Sequence, residues 1–355
     1  MSLTVLSVAY PFAQVGPDAV GGAEQVLAQL DAALVAAGHR SIVVASAGSC
    51  TRGELVTTPA VEGVITPQQR ERTWTNHRRN IQRALMQHSV DVVHLHGIDF
   101  TAYLPPEGEA PLLVTLHLPP SWYPPEVFAG LRQDLWLHCV SRSQHAACPA
   151  GARLLPAIEN GVPLQALQAR CSRRRFALVL GRICPEKNVH AALDAGRLAG
   201  MTVLLGGRIF PYEAHERYFH EHVVPRLDGQ RRFLGPVNFQ RKRRLLSAAH
   251  CLLLPTLAPE TSSLVAMEAL ACGTPVIAFR SGALPEIVEH GVTGFLVRDT
   301  AEMADAVAAC AGLDRERCRA IARDRFSLQR SIARYFDVYQ HLAAGAHTAL
   351  RVAHA

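Results

Sequence analysis

Short apolar runs alternate with amphipathic stretches along the whole chain, and that alternation decides the fold class before any single residue does. Residues 3–9 (LTVLSVA) make the first run, closed by Pro11. After a loop carrying Gly16 and Gly21-Gly22, the positions Val26, Leu27, Leu30, Leu34 and Ala37 recur at helical spacing and stop at Gly38. The pattern returns. Residues 41–46, 90–96, 112–116 and 135–140 read as further strands, and Ile81, Leu85 and His88 line one face of a helix expected over 72–88. Continuous apolar runs separated by period-3.6 stretches predict strands buried on both faces of a parallel sheet. Residues 50–70 carry little pattern and are expected to be irregular.

A second series follows. Residues 176–180, 201–205, 251–255 and 276–279 read as strands, 211–227 as an outer-face helix, and 302–310 and 314–325 as helices. Ile332, Tyr335, Phe336, Val338, Tyr339 and Leu342 give a last amphipathic helix, and the small-residue tail from about Ala344 is expected to fray. The two series meet in a short polar stretch between about 162 and 175. The chain therefore reads as α/β with two halves, 1–165 and 166–326, followed by a closing helix over 327–355.

Composition sets outer limits. At 355 residues and 49% hydrophobic content the chain can bury two cores, which excludes a disordered protein. The formal charge of +6 fits nucleic acid, an anionic membrane surface or phosphorylated substrates equally well. The cationic run from Arg241 to Arg244 lacks a binding module or stacking aromatics, so it reads as a solvated helix face and nucleic acid drops out. Arg72, Arg78, Arg79 and Arg83 form a second basic face, either solvated or in peripheral contact with anionic lipid. Nine cysteines without a CxxC pair point to a reducing cytoplasm, and no apolar run approaches the ~20 residues of a membrane span. Oligomeric state is not encoded in any of these patterns.

The chemistry collects where strands hand over to helices. Glu260 and Glu268 bracket a helix start expected near Ser262 or Ser263, after the apolar run 251–255 and before the stop Gly273-Thr-Pro275. A helix N-terminus offers backbone N–H groups and partial positive charge to a phosphate, while a carboxylate beside it can accept from sugar hydroxyls. Arg182 and Lys187 leave another strand end together, placed for charge-assisted bonds to a diphosphate. Gly21-Gly22 would let a backbone approach a phosphate closely. His117 ends a strand and enters a loop containing Trp122 and Tyr123. His94-x-His96 shares a strand face, but no Cys or acid cluster completes a metal site, so no metal is expected. Taken alone, these residues support a phosphate-binding, two-domain α/β protein.

The motifs carry more than that. GGAE after the first strand, VTLH ending in His117, the Asn160-Gly-Val162 turn, GRICPEK (G-R-x-x-x-E-K), PETSSLVAMEALACGTPVIA and GALPEIVEHGVTGFLV together resemble GT-B glycosyltransferases of family 4. These are retaining enzymes that take sugar from a nucleoside diphosphate. The resemblance implies two doubly wound Rossmann-like domains facing a central cleft, the N-terminal one on the acceptor side and the C-terminal one binding the donor, with the last helix crossing back. It implies a UDP- or GDP-linked sugar and a hydroxyl acceptor as substrates, with no cofactor and no metal, and the sequence offers no persuasive DxD. By the same resemblance Arg182 and Lys187 would clamp the donor phosphates, Glu260 and His117 would face the donor sugar, and Glu268 would take the ribose hydroxyls. The backbone of Ser262, Ser263, Leu264 and Val265 would hold sugar and phosphate, with Gly22 beside them. Gly207 would lie near the nucleoside and Trp122 and Tyr123 near the acceptor. One departure stands out: where family members carry Phe-Gly, this chain has Ser262-Ser263, which brings a side chain to the sugar pocket. A sugar phosphorylase or nucleotide-sugar epimerase on the same fold, or a non-catalytic nucleotide-sugar binder, remain the competing readings.

Overall fold

The computed structural model describes residues 2–353 apart from positions 64, 109 and 170, with side chains through Gly345. It divides into two compact units. One comprises residues 1–159 with 331–355, the other residues 160–330.

In the first unit the elements run β1 (Thr4–Val8), α1 (Gly22–Ala36), β2 (Arg40–Ser46), β3 (Glu54–Thr58), α2 (Pro67–Gln87), β4 (Val92–Leu95), β5 (Leu112–Leu116), β6 (Leu135–Cys139) and α3 (Arg142–Ala146). Its six strands are all parallel, in the order β3-β2-β1-β4-β5-β6. Leu6, Val8, Val93, Leu95, Val114 and Leu116 fill the sheet's core and are almost wholly excluded from solvent.

The second unit continues with α4 (Leu164–Leu167), β7 (Phe176–Arg182), α5 (Val189–Leu198), β8 (Thr202–Arg208), α6 (Glu213–Tyr218), β9 (Arg231–Phe233), α7 (Phe239–Ala248), β10 (Cys251–Leu254), α8 (Leu264–Ala271), β11 (Val276–Phe279), α9 (Leu284–Ile287), β12 (Gly294–Val297), α10 (Thr300–Ala309), α11 (Arg315–Arg325) and α12 (Leu328–Ala353). Its parallel strands lie in the order β12-β11-β10-β7-β8-β9. Counted within each unit, both orders are 3-2-1-4-5-6. The strand order therefore reverses between β1 and β4 in one sheet and between β7 and β10 in the other, and open α/β sheets bind ligands beyond the carboxyl ends of such strands.

Several boundaries differ from the sequence expectation. Residues 50–70 are not wholly irregular: β3 pairs along β2 as the sheet's edge, and α2 starts at Pro67 behind a Thr66–Gln69 capping box. That helix buries Thr73, His77, Asn80, Ile81 and Ala84, so its inner face is half polar. The outer-face helix expected over 211–227 is α6 followed by π and 3-10 turns. The units part at 159/160 rather than 165/166. The reason is that Val162 is bound into the second unit, donating to Phe326 and accepting from Leu328. Helix α12 begins in that unit, and from Ser331 onward its residues pack in the first, where Tyr335 and Tyr339 are buried. The helix continues beyond Ala344 to Ala353, while residues 354 and 355 lie outside the described residues.

Candidate functional site

The second unit gathers its chemistry beyond β7 and β10. Strand β7 runs through Arg182, so that cation is its last residue rather than part of the following loop. A single 3-10 turn, Pro185–Lys187, then ends on Asn188 in the left-handed region at φ 51°, a conformation that the short amide of Asn tolerates. Asn188 Nδ2 donates to Pro255 O at 3.1 Å, and Leu257 N donates to Glu186 O at 2.9 Å. The two loops are thereby stitched together. On the stitched pair, Lys187 Nζ forms an ion pair with the Glu260 carboxylate. Glu260 is itself held by its main chain, accepting from Ala283 N at 2.7 Å, while Gly282 at φ 53° packs so closely that any Cβ would overlap the Glu260 backbone.

Helix α8 opens at this junction. Ser263 precedes it and contributes no side-chain cap, and the first intrahelical bond runs from Met267 N to Ser263 O. The amides of Leu264, Val265 and Ala266 come before that bond, at the positive end of the helix. Ser262 Oγ is buried with no partner among the described residues. An unmet buried hydroxyl costs about 1–3 kcal/mol and marks a place where a ligand atom would be welcome.

Glu268 lies one turn into α8 and is not left to a ligand alone. Lys242 Nζ on α7 sits 2.6 Å from its carboxylate, and the two side chains are only 14% and 4% exposed. Burial raises the Glu268 pKa above the usual carboxylate range, and the Lys242 charge and hydrogen bond pull it back. The cationic run is thus not simply a solvated face, since Lys242 turns inward. A local signal existed: the buried Leu246 lies four residues on, on the same helix face. Arg182 has no ion-pair partner among the described residues. Gly207 pairs with Gly181 across β7 and β8, where a side chain would overlap the Gly181 carbonyl, so the sheet itself accounts for this glycine.

In the first unit the strand ends carry imidazoles. His94 on β4 is hydrogen-bonded to Tyr339 OH at 2.7 Å and to Thr115 Oγ1 at 2.6 Å, and Thr115 also meets His138 Nε2 at 2.6 Å. His96 Nδ1 lies 3.0 Å from His117 Nε2. Burial dominates throughout this cluster: it lowers the pKa of His117 to about 3 and of His138 to about 4, and holds His94 and His96 well below 6.5. The four are therefore neutral hydrogen-bonding groups at neutral pH.

The loop after His117 needs one correction. Tyr123 is 4% exposed and its hydroxyl accepts from the backbone N–H of His117 and Leu118, so it braces the loop instead of presenting a ring outward. Its neighbour Trp122 is 39% exposed. At α1, Gly21 is the N-cap and Gly22 the first helical residue, both with ordinary negative φ. The Glu24 carboxylate folds back against Gly21, so the glycine serves a close contact within the chain.

Two parallel six-stranded α/β units built in this way are the architecture of the GT-B fold. A sucrose-phosphate synthase from Thermosynechococcus elongatus matches with a TM-score of 0.77 at 19% identity, over 96% of this chain and 100% of that one. Anabaena HepE in complex with UDP-glucose matches with a TM-score of 0.73 at 20% identity, over 94% and 99% of the two chains. Residues 20–152 match the family model described as Glycosyltransferase Family 4 and residues 174–312 the model described as Glycosyl transferases group 1, and the chain belongs to this family. A curated relative, D-inositol 3-phosphate glycosyltransferase of Saccharomonospora viridis, is 41% identical over 137 residues, which is 36% of this chain and 31% of the relative. The chain spans about a third of the length of the curated relatives it matches.

Proposed function

We propose that the protein transfers a glycosyl group from a UDP- or GDP-linked sugar to an alcohol acceptor on a glycan, lipid or small molecule, with retention of anomeric configuration. The observation that carries the reading is the junction of the loops after β7 and β10, where Lys187 and Glu260 pair beside the open end of α8. In the transfer, the bond from the anomeric carbon to the diphosphate oxygen breaks and negative charge collects on that oxygen. Lys187, Arg182 and the amides of α8 would hold this added charge more tightly than they hold the ground state, where that oxygen is still esterified to the sugar, and this lowers the barrier. The acceptor oxygen bonds to the anomeric carbon on the face the diphosphate leaves, and its proton passes to the departing phosphate oxygen. No protein base, metal or cofactor is assigned a step.

The buried Glu268 would accept from ribose hydroxyls, with Lys242 sharing its charge. Glu260 and His117 would orient the donor sugar, and the unpartnered Ser262 hydroxyl would offer it a hydrogen bond. The same reading sets the protein in the cytoplasm, with Arg72, Arg78, Arg79 and Arg83, all exposed along α2, as a face for anionic lipid. Among the described residues no helix is long and apolar enough to cross a membrane. The test is a calorimetric titration with UDP and GDP and their sugars, followed by product stereochemistry from proton NMR. Lys187→Ala should lose roughly tenfold to a hundredfold in nucleotide affinity, the worth of a charged hydrogen bond. Unchanged affinity in that variant, or no binding of either nucleotide by the parent protein, refutes the assignment.

A further inference from the structure

Apart from the residues assigned to transfer, the turn after β7 and the first turn of α6 bring three different donor atoms together. Cys184 Sγ, a Glu186 carboxylate oxygen and a His215 ring nitrogen all lie within 4.8 Å of one another. Cys184 is fully buried, and Glu186 and His215 are half-buried. Two neighbouring features fix the arrangement. Glu186 is anchored by the bond its carbonyl accepts from Leu257, and His215 sits in the opening turn of α6, its N–H bonded to Tyr212 O at 2.9 Å. A further observation points to a missing partner: His215 Nδ1 is buried and makes no hydrogen bond among the described residues. The Cys184 thiol is hydrogen-bonded to the Glu186 carboxylate, which leaves His215 Nδ1 as the atom of the three groups without a partner.

We propose that Cys184, Glu186 and His215 bind a thiophilic divalent cation of the zinc class. Sulfur, imidazole and carboxylate together are the donor set such ions select, and three protein ligands leave a fourth position for water. The ion would clip the Pro185–Lys187 turn to α6. As the sulfur–metal bond forms, the Cys184 thiol gives its proton to solvent. In the absence of metal, burial pushes that thiol up to about 11, Arg182 pulls it down and Glu186 raises it further. Arg182 acts against a cation on both Cys184 and His215, and the thiolate and carboxylate together balance the ion's two positive charges. The site does not depend on the transfer reaction, and it departs from the metal-free expectation set by the resemblance to family 4.

The experiment is a titration of the reduced, metal-stripped full chain with Co2+, followed by ultraviolet absorption, and then by Zn2+ as competitor. A thiolate-to-cobalt charge-transfer band should grow to one equivalent and vanish on adding Zn2+. All nine cysteines are free, so the variants decide which sulfur is responsible. Cys184→Ser should abolish the band, and His215→Ala should weaken Co2+ binding by more than the roughly tenfold that even a supporting contact is worth. Thermal melts in the same samples should show Zn2+ stabilising the parent protein and leaving Cys184→Ser unmoved. No thiolate band, or a band of equal intensity in a folded Cys184→Ser, overturns the proposal. UDP titrations of these samples keep it separate from the donor site: nucleotide binding without a cobalt band refutes only the cation site.

Discussion

The two units share one strand order, yet they spend their buried polar groups differently. Toward the ends of β4, β5 and β6 the first unit holds neutral imidazoles: His94 and His138 meet through Thr115, with Tyr339 on His94, and His96 pairs with His117. At the corresponding ends of β7 and β10 the second unit holds charge, with Lys187 against Glu260 and Lys242 against Glu268. Burying a neutral imidazole with partners is cheap, whereas a buried ion pair recovers its desolvation cost only when its geometry is good. The contrast indicates a division of labour on a common scaffold. On the proposed function, the charged unit would take the diphosphate and its sugar, and the neutral one would offer donors and acceptors without net charge to the acceptor's hydroxyls.

The contrast breaks most sharply at Glu268. Glu268→Ala leaves Lys242 largely buried without a counterion, so we expect a loss of about 3 kcal/mol in stability together with weakened UDP or GDP binding, measured by denaturant titration and calorimetry. Replacing both partners distinguishes function from stability. The folded pKa of Glu268 is raised, so its ionised form costs stability once the pH passes the unfolded value, and a Lys242→Met/Glu268→Leu protein removes that cost. It should be at least as stable as the parent and still fail to bind nucleotide. If it binds normally, the pair is only structural. Next in size is Lys187→Ala, expected to cost about 1.5–3 kcal/mol in nucleotide affinity with little change in acceptor KM.

How far the sequence foretold this contrast depended on how local each feature is. Strands β1, β4, β5, β7, β10 and β11 are continuous apolar runs, and the residues leaving them, His117, Lys187 and Glu260 among them, could be placed from pattern alone. Strand β3 escaped because it is an edge strand: ELVTT is mostly exposed or half-exposed and carries no apolar run. Leu246 on the same face signalled that Lys242 turns inward, but its partner stayed hidden because Glu268 lies 26 residues away on another helix. The imidazole network was beyond reach for the same reason, since His94 and Tyr339 are 245 positions apart. Tyr123 looked like a ligand contact because a Pro-rich loop gives no burial period, and only the fold reveals its hydroxyl turned back on His117.

The neutral cluster can be sharpened by its pH signature. The lowered pKa values mean that unfolded imidazoles take up protons near 6.5, whereas His117 resists until about 3 and His138 and His77 until about 4. Stability from these groups is therefore complete above 6.5 and is lost as the pH falls through that window. Removing one of them, by His138→Gln, should flatten the slope of stability against pH between 6.5 and 5 by about 1 kcal/mol per pH unit, close to the 1.36 expected of one proton. An unchanged slope would mean that His138 already carries charge when folded.

The smallest effect is expected at Trp122, which tests whether the neutral unit really meets the acceptor. Its ring is 39% exposed, and the structure records no hydrogen bond to its indole among the described residues. Trp122→Ala should therefore shift stability by no more than about 0.5 kcal/mol, the usual range for a surface position. The loop keeps its shape in this variant because Tyr123 still braces His117 and Leu118. If the exposed indole stacks on an acceptor, the substitution raises acceptor KM severalfold while UDP-sugar affinity stays put. A matched loss in both would tie Trp122 to the donor, and would remove the division of labour on which the comparison of the two units rests.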